Sequence, residues 1–391
     1  MKTSLSKEDQ KKIVELRRYF HKHPELKYQE VNTAKKIQEE LKSYGYKPSF
    51  GMAQTGVVAL HSDDTKKRCI LLRADMDALP LQEVNNTPYQ SKNPQAMHAC
   101  GHDMHMATLL LTAKELKNKK LPGNLKFVFQ PAEEGGNGAE KMVQEGVLKG
   151  PQVEAAFGLH VWSGLPIGKV AVVPGPIMAS VDMFELTIIG KGGHGAMPHQ
   201  TVDSIVVASQ VVNTLQSVVS RNADPLDSLV VTVGKIEGGA TFNIIPEKTK
   251  LVGTVRTMSK KMWDEVPVHF ERVIKGVCEA YGARYELDFQ RYTPVTINEP
   301  HMTRFVHEMA ASVVGEENIV TDCRTMGGED FSFFLNEVPG CFYFGGGENK
   351  EKGFIHPHHS PYFDIDEESL LVGVEVMKKI ALTYFNEFPT K

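Results

Sequence analysis

The segment Cys69-Ile-Leu-Leu-Arg73 is a short, unbroken apolar run, and it constrains this chain more than any other feature. A strand that is apolar at every position has no face to turn to water. It must be covered on both sides, which is the situation of a parallel sheet with helices on its two faces. The neighbouring patterns agree. Residues 102–116 and 138–148 read as helices, and 125–130 and 155–159 as further strands. Before them, 8–22 carries Ile13, Leu16 and Phe20 on one helical face. Residues 30–44 carry Val31, Ala34, Ile37 and Leu41, with Gly45 as a stop. The βαβα rhythm predicts an α/β domain with a mostly parallel sheet.

Near residue 180 the texture changes. Strand patterns at 183–189, 228–236, 248–256 and 283–289 are interleaved with helix patterns at 204–219 and 260–281. The order β-α-β-β-α-β is that of a ferredoxin-like α+β unit. After Asn298 the α/β pattern returns and ends in a helix over 367–384. The expected organisation is therefore a catalytic α/β domain in two parts, 1–180 and 295–391, with an inserted domain at 181–294.

Composition removes several classes of function. With 44 basic and 48 acidic side chains, a net charge of −4 calls for neither nucleic acid nor an acidic membrane. No apolar run approaches the ~20 residues that span a bilayer. The start, MKTSLSKEDQKK, lacks the apolar core of a secretory signal, so a cytoplasmic location is expected. The five cysteines are odd in number and scattered, which fits reduced thiols rather than a disulfide framework. The fifteen histidines, by contrast, cluster: His98, His102 and His105 in one place, His356, His358 and His359 in another.

The functional lead lies just past the predicted strands. Ala74-Asp-Met-Asp77 comes after the first, Pro131-Ala-Glu-Glu134 after the second and His160 after the third, while Cys100-Gly-His102 precedes a helix. In an open parallel sheet, ligands sit beyond the carboxyl ends of the strands. Taken singly, each cluster has an ordinary reading: a solvated glutamate pair, a helix cap, a packing thiol. Together they bring carboxylate, imidazole and thiol to one edge. Cys100, His102, Glu134, His160 and one histidine of His356, His358 and His359 make five donors. A single catalytic zinc usually takes three protein ligands, so five suit two divalent ions. Glu133, beside a ligand but facing elsewhere, is placed to act as a general base, and Asp77 to orient a histidine ligand. Two glycine-rich segments, Gly190 to His199 around His194 and Gly238 to Asn243, are candidates for close approach to a substrate. The run Gly327-Gly-Glu-Asp330 is expected either to cap the helix near Phe331 or to line the site.

Five of these segments together, Arg73-Ala-Asp-Met-Asp-Ala-Leu-Pro80, Met97-His-Ala-Cys-Gly-His-Asp103, Gln130-Pro-Ala-Glu-Glu-Gly135, Gly192-Gly-His-Gly-Ala-Met-Pro198 and His358-His-Ser-Pro361, carry a family resemblance over nearly the whole chain. The sequence resembles the aminoacylase/carboxypeptidase family of dinuclear metallohydrolases. More narrowly it is similar to the N-acyl-amino-acid amidohydrolase branch, which includes hippurate hydrolases, auxin-conjugate hydrolases and N-acetyldiaminopimelate deacetylases.

The resemblance implies a zinc-peptidase-like α/β catalytic domain with an inserted ferredoxin-like lid that mediates homodimerisation. It implies Cys100, His102, Glu134, His160 and His359 as metal ligands, Glu133 as the base and Asp77 as the orienting aspartate. It also implies substrate contacts from His194, Asn243 and Arg256. In dimeric relatives the histidine matching His194 reaches the partner's site. Asp75 stands where other branches have a histidine, which leaves the metals open among zinc, manganese, nickel and cobalt, with a thiolate favouring zinc. The implied reaction is hydrolysis of an N-acyl, above all N-acetyl, amino acid. The alternative is a dipeptidase or aminopeptidase of the same broad family. His199 receives no role.

Overall fold

The computed structural model describes residues 3–62, 64 and 66–389. The chain forms two compact units. The larger comprises Met1–Gly175, Ile297–Arg324 and Asp330–Lys391, and the smaller Pro176–Thr296 and Thr325–Glu329.

In the larger unit the strand Cys69–Asp75 is buried at all its positions, and so is Asn124–Gln130 beside it. The two run parallel with Cys69 opposite Asn124 and Asp75 opposite Gln130. Val153–Pro166 lies on the other side, parallel, with Leu72 opposite Phe157 and Arg73 opposite Gly158. Gly340–Glu348 continues the parallel set, and Phe344 faces His160. The sheet is mixed at its margins. Gly56–Leu60 joins Asn124–Gln130 antiparallel, and Ser49–Met52 joins Gly56–Leu60 antiparallel. Val170–Ala171 also runs antiparallel to Gly340–Glu348. A parallel core with antiparallel edges is common in large α/β sheets.

The helix His102–Leu116 is buried nearly all round. It packs against the helices Lys7–Lys22 and Ser369–Glu387 and against the strand Cys69–Asp75. A helix buried on nearly every side belongs in the core of a large domain. Lys7–Lys22, at the surface, buries one face, with Ile13, Leu16 and Phe20 on it.

The smaller unit has a four-stranded antiparallel sheet in the order Leu229–Gly238, Lys248–Thr257, Val181–Ile189, Arg284–Thr293. With the helices Ser204–Ser217 and Lys260–Tyr281 this is the ferredoxin-like arrangement. Its own core gathers Phe184, Leu186 and Ile188 from the central strand against Val211, Leu215, Phe270 and Ile274 from the helices. The return segment Thr325–Glu329 joins this unit without any sign in the sequence pattern, through Ala179 N–H donating to Gly327 O. Among the described residues, no helix is long and apolar enough to cross a membrane.

Candidate metal centre

Parallel strands deliver the polar residues to one edge. Asp75 ends its strand and Asp77 comes two residues later. Gln130 ends the next strand, and the chain turns through Ala132, in the left-handed region with φ +54°, into Glu133–Gly136. His160 does not end its strand, which continues to Pro166. It lies two residues beyond Gly158, the last residue of that strand to pair with Cys69–Asp75, so it stands at the level where its neighbour stops. Gly101, at φ +90°, opens the helix that starts with His102. A Cβ there would lie 2.3 Å from Val161 Cγ2, so only glycine fits.

The donor atoms converge as two triads. Those of Cys100, His102 and His160 lie within 4.8 Å of one another, and so do those of Cys100, Glu134 and His359, so the two triads share the thiol. His102, Glu133 and Glu134 form a third group by the same measure. Cys100 Sγ is 3.5 Å from His160 Nε2, and His359 Nε2 is 3.2 Å from Glu134 Oε1. Of the three C-terminal histidines only His359 enters a triad. It sits at φ +64°, an uncommon backbone state for this residue type, with its N–H donating to Ala99 O. His358 turns inward and accepts from Ser163 N–H at 3.1 Å, while His356 packs against Tyr362.

The electrostatics fit cations at this place. Burial, then Glu134 and Glu133, pushes the Cys100 thiol well above its ordinary pKa, so it ionises only against a positive charge. Burial works against a charge on His102, but Asp75, Asp77 and Glu134 prevail and raise its pKa to about 10. Its Nε2 is nevertheless buried with no hydrogen-bond partner among the described residues, and Glu134 Oε1 is buried beside the His359 ring without a well-aligned hydrogen bond. Burial, with His105 and His358 nearby, holds His160 well below its usual value and hence neutral, as a ligand must be. A thiol, three imidazoles and a carboxylate, with unsatisfied atoms turned toward one another, are a fitting donor set for two divalent ions.

Residues 71–383 match the profile of Peptidase family M20/M25/M40. The chain belongs to that family. It is 42% identical over 381 residues to "IAA-amino acid hydrolase ILR1-like 4" of Arabidopsis thaliana, covering 96% of this chain and 86% of the relative. It is 39% identical over 374 residues to "N-acetylcysteine deacetylase" of Bacillus subtilis, covering 95% of this chain and 96% of the relative. The crystal structure of the Bacillus subtilis YXEP protein, described as a dinuclear metal binding peptidase from the M20 family, superposes with a TM-score of 0.84 at 35% identity, covering 97% of this chain and 99% of that one. The chain is thus an M20-family hydrolase, an amidohydrolase by its relatives, and its α/β fold with a separate small antiparallel sheet is that of the family.

In this M20 hydrolase the two aspartates at the end of the first parallel strand divide the supporting work. Asp77 accepts from Glu133 N–H at 3.0 Å and from Glu134 N–H at 2.9 Å. Its carboxylate therefore grips the turn rather than chiefly the histidine. His102 Nδ1 is instead bonded by the backbone carbonyl of Asp77, at 2.8 Å, with the carboxylate 3.5 Å away. Asp75 binds His105 Nδ1 at 2.6 Å, and His105 Nε2 accepts from Val161 N–H at 2.9 Å, so this ring is locked as a neutral donor–acceptor bridge. Arg73 holds Asp75 at 2.6 Å. The sequence pattern does not reveal the Asp75–His105 pair, although the helical spacing of His102 and His105 is its one sign.

Asp330 stands just before the helix Ser332–Glu337, and its carbonyl accepts from Phe333 N–H at 3.0 Å. Its carboxylate accepts from Gln130 Nε2 at 2.7 Å, Ala139 N–H at 3.0 Å and Arg73 Nη2 at 3.2 Å.

The remaining candidates belong to the smaller unit. His194 and Asn243 are brought together on an exposed two-stranded ribbon, where Gly193–His194 pairs with Ile244–Ile245 and Gly195 N–H donates to Asn243 O at 2.8 Å. Arg256 is not with them. Gly190 N–H meets Glu247 O at the start of the strand Lys248–Thr257, and Arg256 lies at that strand's far end, roughly 30 Å along the extended chain. There its Nη1 donates to Met326 O. His199 is exposed on a short 3-10 turn, Pro198–Gln200.

Proposed function

We propose that the chain hydrolyses the amide bond of N-acyl amino acids, releasing a carboxylic acid and a free amino acid. The observation that carries this reading is the pair of donor triads joined at Cys100, with Glu133 next to them and its backbone held by Asp77. The named activities of the two relatives, on an amino-acid conjugate and on N-acetylcysteine, are of this chemical class. Cys100, His102, Glu134, His160 and His359 would hold two divalent cations, zinc or manganese first. When bound, these supply a positive charge that polarises the scissile carbonyl and acidifies a water.

The chain's own groups do the rest. Glu133 takes a proton from the attacking water as its oxygen bonds to the carbonyl carbon. The same carboxyl then delivers that proton to the departing nitrogen as the C–N bond breaks, so the base is regenerated. Asp77 keeps Glu133 and Glu134 from rotating away. His194 serves as a donor to the developing oxyanion, and Asn243 and Arg256 as contacts to the substrate's polar ends. The resemblance to dimeric relatives, whose matching histidine reaches the partner's site, and the separation of His194 and Asn243 from Arg256 within the smaller unit lead this reading to assign His194 and Asn243 to the active site of a second copy in a homodimer. The exposed Phe242 and Ile244, next to and within that ribbon, support such a contact through the smaller unit.

The test is a panel assay of metal-reconstituted enzyme on N-acetyl, longer N-acyl and N-aroyl amino acids beside free dipeptides. Chelator-sensitive release of amino acid from the acylated compounds alone is expected. Turnover of free dipeptides alone would replace this reading with a dipeptidase or aminopeptidase.

A further inference from the structure

The turn that carries Glu133 and Glu134 is kinked rather than regularly helical. Glu134 has ψ 69°, Gly135 has φ 71°, and Ala132 before them is also left-handed, so the short helix Glu133–Gly136 is helical in name only. Glycine-rich backbone in such conformations is expected to wander unless neighbouring groups over-determine it. The groups that do so come largely from a loop far away in sequence. This is the link between the helices Lys7–Lys22 and Val31–Ser43, which supplies none of the five metal donors.

Lys27 Nζ donates to Glu134 O at 2.9 Å and to Gly135 O at 3.3 Å. Tyr28 OH donates to Gly136 O, and the ring lies so close that a Cβ on Gly136 would stand 3.1 Å from Tyr28 Cε2. The carboxylate of Glu30, fully buried, accepts from Ala132 N–H at 2.9 Å and from Thr55 Oγ1 at 2.7 Å. Tyr28 itself is held at φ +61°. The loop is pinned in turn to the segment beyond the strand Cys69–Asp75, where Ala78 N–H donates to Glu25 O at 2.8 Å and Leu26 bridges Ala78. Three successive N–H groups, on Ala132, Glu133 and Glu134, thus end on two buried carboxylates, Glu30 and Asp77. The next three carbonyls, on Glu134, Gly135 and Gly136, end on Lys27 and Tyr28.

We infer that Lys27, Tyr28 and Glu30 form a clasp, and that they are positioning residues which set the direction of the Glu133 and Glu134 side chains for the hydrolytic reaction. Packing alone does not require this arrangement. Burial and the nearby Asp77 raise Glu30 to about 7, so the fold keeps an acid where an apolar residue would be cheaper to bury. The inference rests on the amidohydrolase reading of the site.

The experiment uses the full-length, metal-loaded enzyme and three substitutions: Glu30→Gln, which keeps volume and one acceptor, Tyr28→Phe, and Lys27→Met. Glu133→Ala runs alongside. Each clasp variant is assayed for kcat and KM on an N-acetyl amino acid, for cobalt(II) affinity followed by visible absorbance, and for Tm. Outer groups that hold ligand-bearing segments typically matter by 10–100-fold, so kcat and cobalt affinity are each expected to fall by about that factor, with KM within about twofold. Tyr28→Phe combined with Lys27→Met should lose more than either alone. Unchanged kcat and cobalt affinity beside an inactive Glu133→Ala would overturn the clasp and leave the amidohydrolase reading standing. A loss carried wholly by KM, or a fall in Tm alone, would also overturn it, as a substrate contact or a purely structural role. A fully active Glu133→Ala would overturn the reading itself, and the clasp with it.

Discussion

Two glycine-rich segments of this molecule carry candidate catalytic groups, and they are built in opposite ways. The turn Glu133–Gly136 in the larger unit has its backbone polar groups held by side chains from other segments, with Glu30 and Asp77 buried, Tyr28 half-buried and Lys27 exposed. The ribbon around His194 in the smaller unit is exposed. Among the described residues, the His194 ring has a local bond alone, from Ala196 N–H to Nδ1 at 3.0 Å, and Phe242 and Ile244 nearby are exposed. The first is a preorganised site, where geometry is set before substrate arrives. In the proposed reading, the second is a group that a further surface completes. Groups that move protons or hold ions need fixed distances, whereas a donor that closes over a substrate needs freedom to arrive.

The sharpest way to break that contrast is at Glu133. Glu133→Ala should cost about 10⁴-fold in single-turnover rate while metal content stays at the wild-type level, if the carboxylate acts on protons as proposed. Metal analysis beside the rate separates this from loss of the site.

Next in size is the buried charge cluster beneath the His102 helix. Arg17, fully buried, bonds Asp103 at 2.9 Å and Asp364 at 2.6 Å, and His21 bonds Asp103 at 2.7 Å. Arg17→Met would strand buried carboxylates and is expected to cost about 3–5 kcal/mol in urea denaturation. The pH dependence has two edges. Against the cost of burial, Arg17 and His21 hold Asp103 well below its usual range, so its contribution is present above ~4 and lost as pH falls toward the lowered value. Against burial and the Arg17 charge, Asp103 and Glu83 raise His21, so its contribution is full below ~6.5 and lost as pH rises through the raised value. The urea midpoint should therefore be highest between ~4 and ~6.5, and His21→Gln should flatten the alkaline edge.

The ribbon supplies the third test. His194→Ala should lower kcat by a factor of about 10² to 10³ with Tm unchanged, since an exposed ring contributes little to folding. A drop in Tm of several degrees would mean that the ribbon is structural and that the two glycine-rich segments are built alike.

The chemistry of the site was largely legible along the chain. Cys100, His102, Glu134 and His160 stood out because predicted strand ends and a helix start carry them, although the strand bearing His160 runs on to Pro166, and periodicity reveals strands and helices locally. The α/β rhythm and the β-α-β-β-α-β order were readable for the same reason. The antiparallel strands at the margins of the larger sheet were not, because a strand's pattern records its burial and not its neighbour's direction. Nor does a cluster of three histidines say which ring faces the donors. A left-handed residue at position 359 does that, and it is a backbone state decided by the fold.

What the sequence determined by itself is therefore the inventory: which groups exist, on what kind of element, and in what order. What only the tertiary structure decided is adjacency. It made Cys100 common to two triads, gave the Asp77 carboxylate to the Glu133 turn, parted Arg256 from His194, and brought Lys27, Tyr28 and Glu30 from about a hundred residues away to the same turn. The physical reason is that burial and hydrogen-bond satisfaction are conditions on the whole packed molecule. A segment's own pattern states what it must hide, but the partner that hides it is chosen by the course of the rest of the chain.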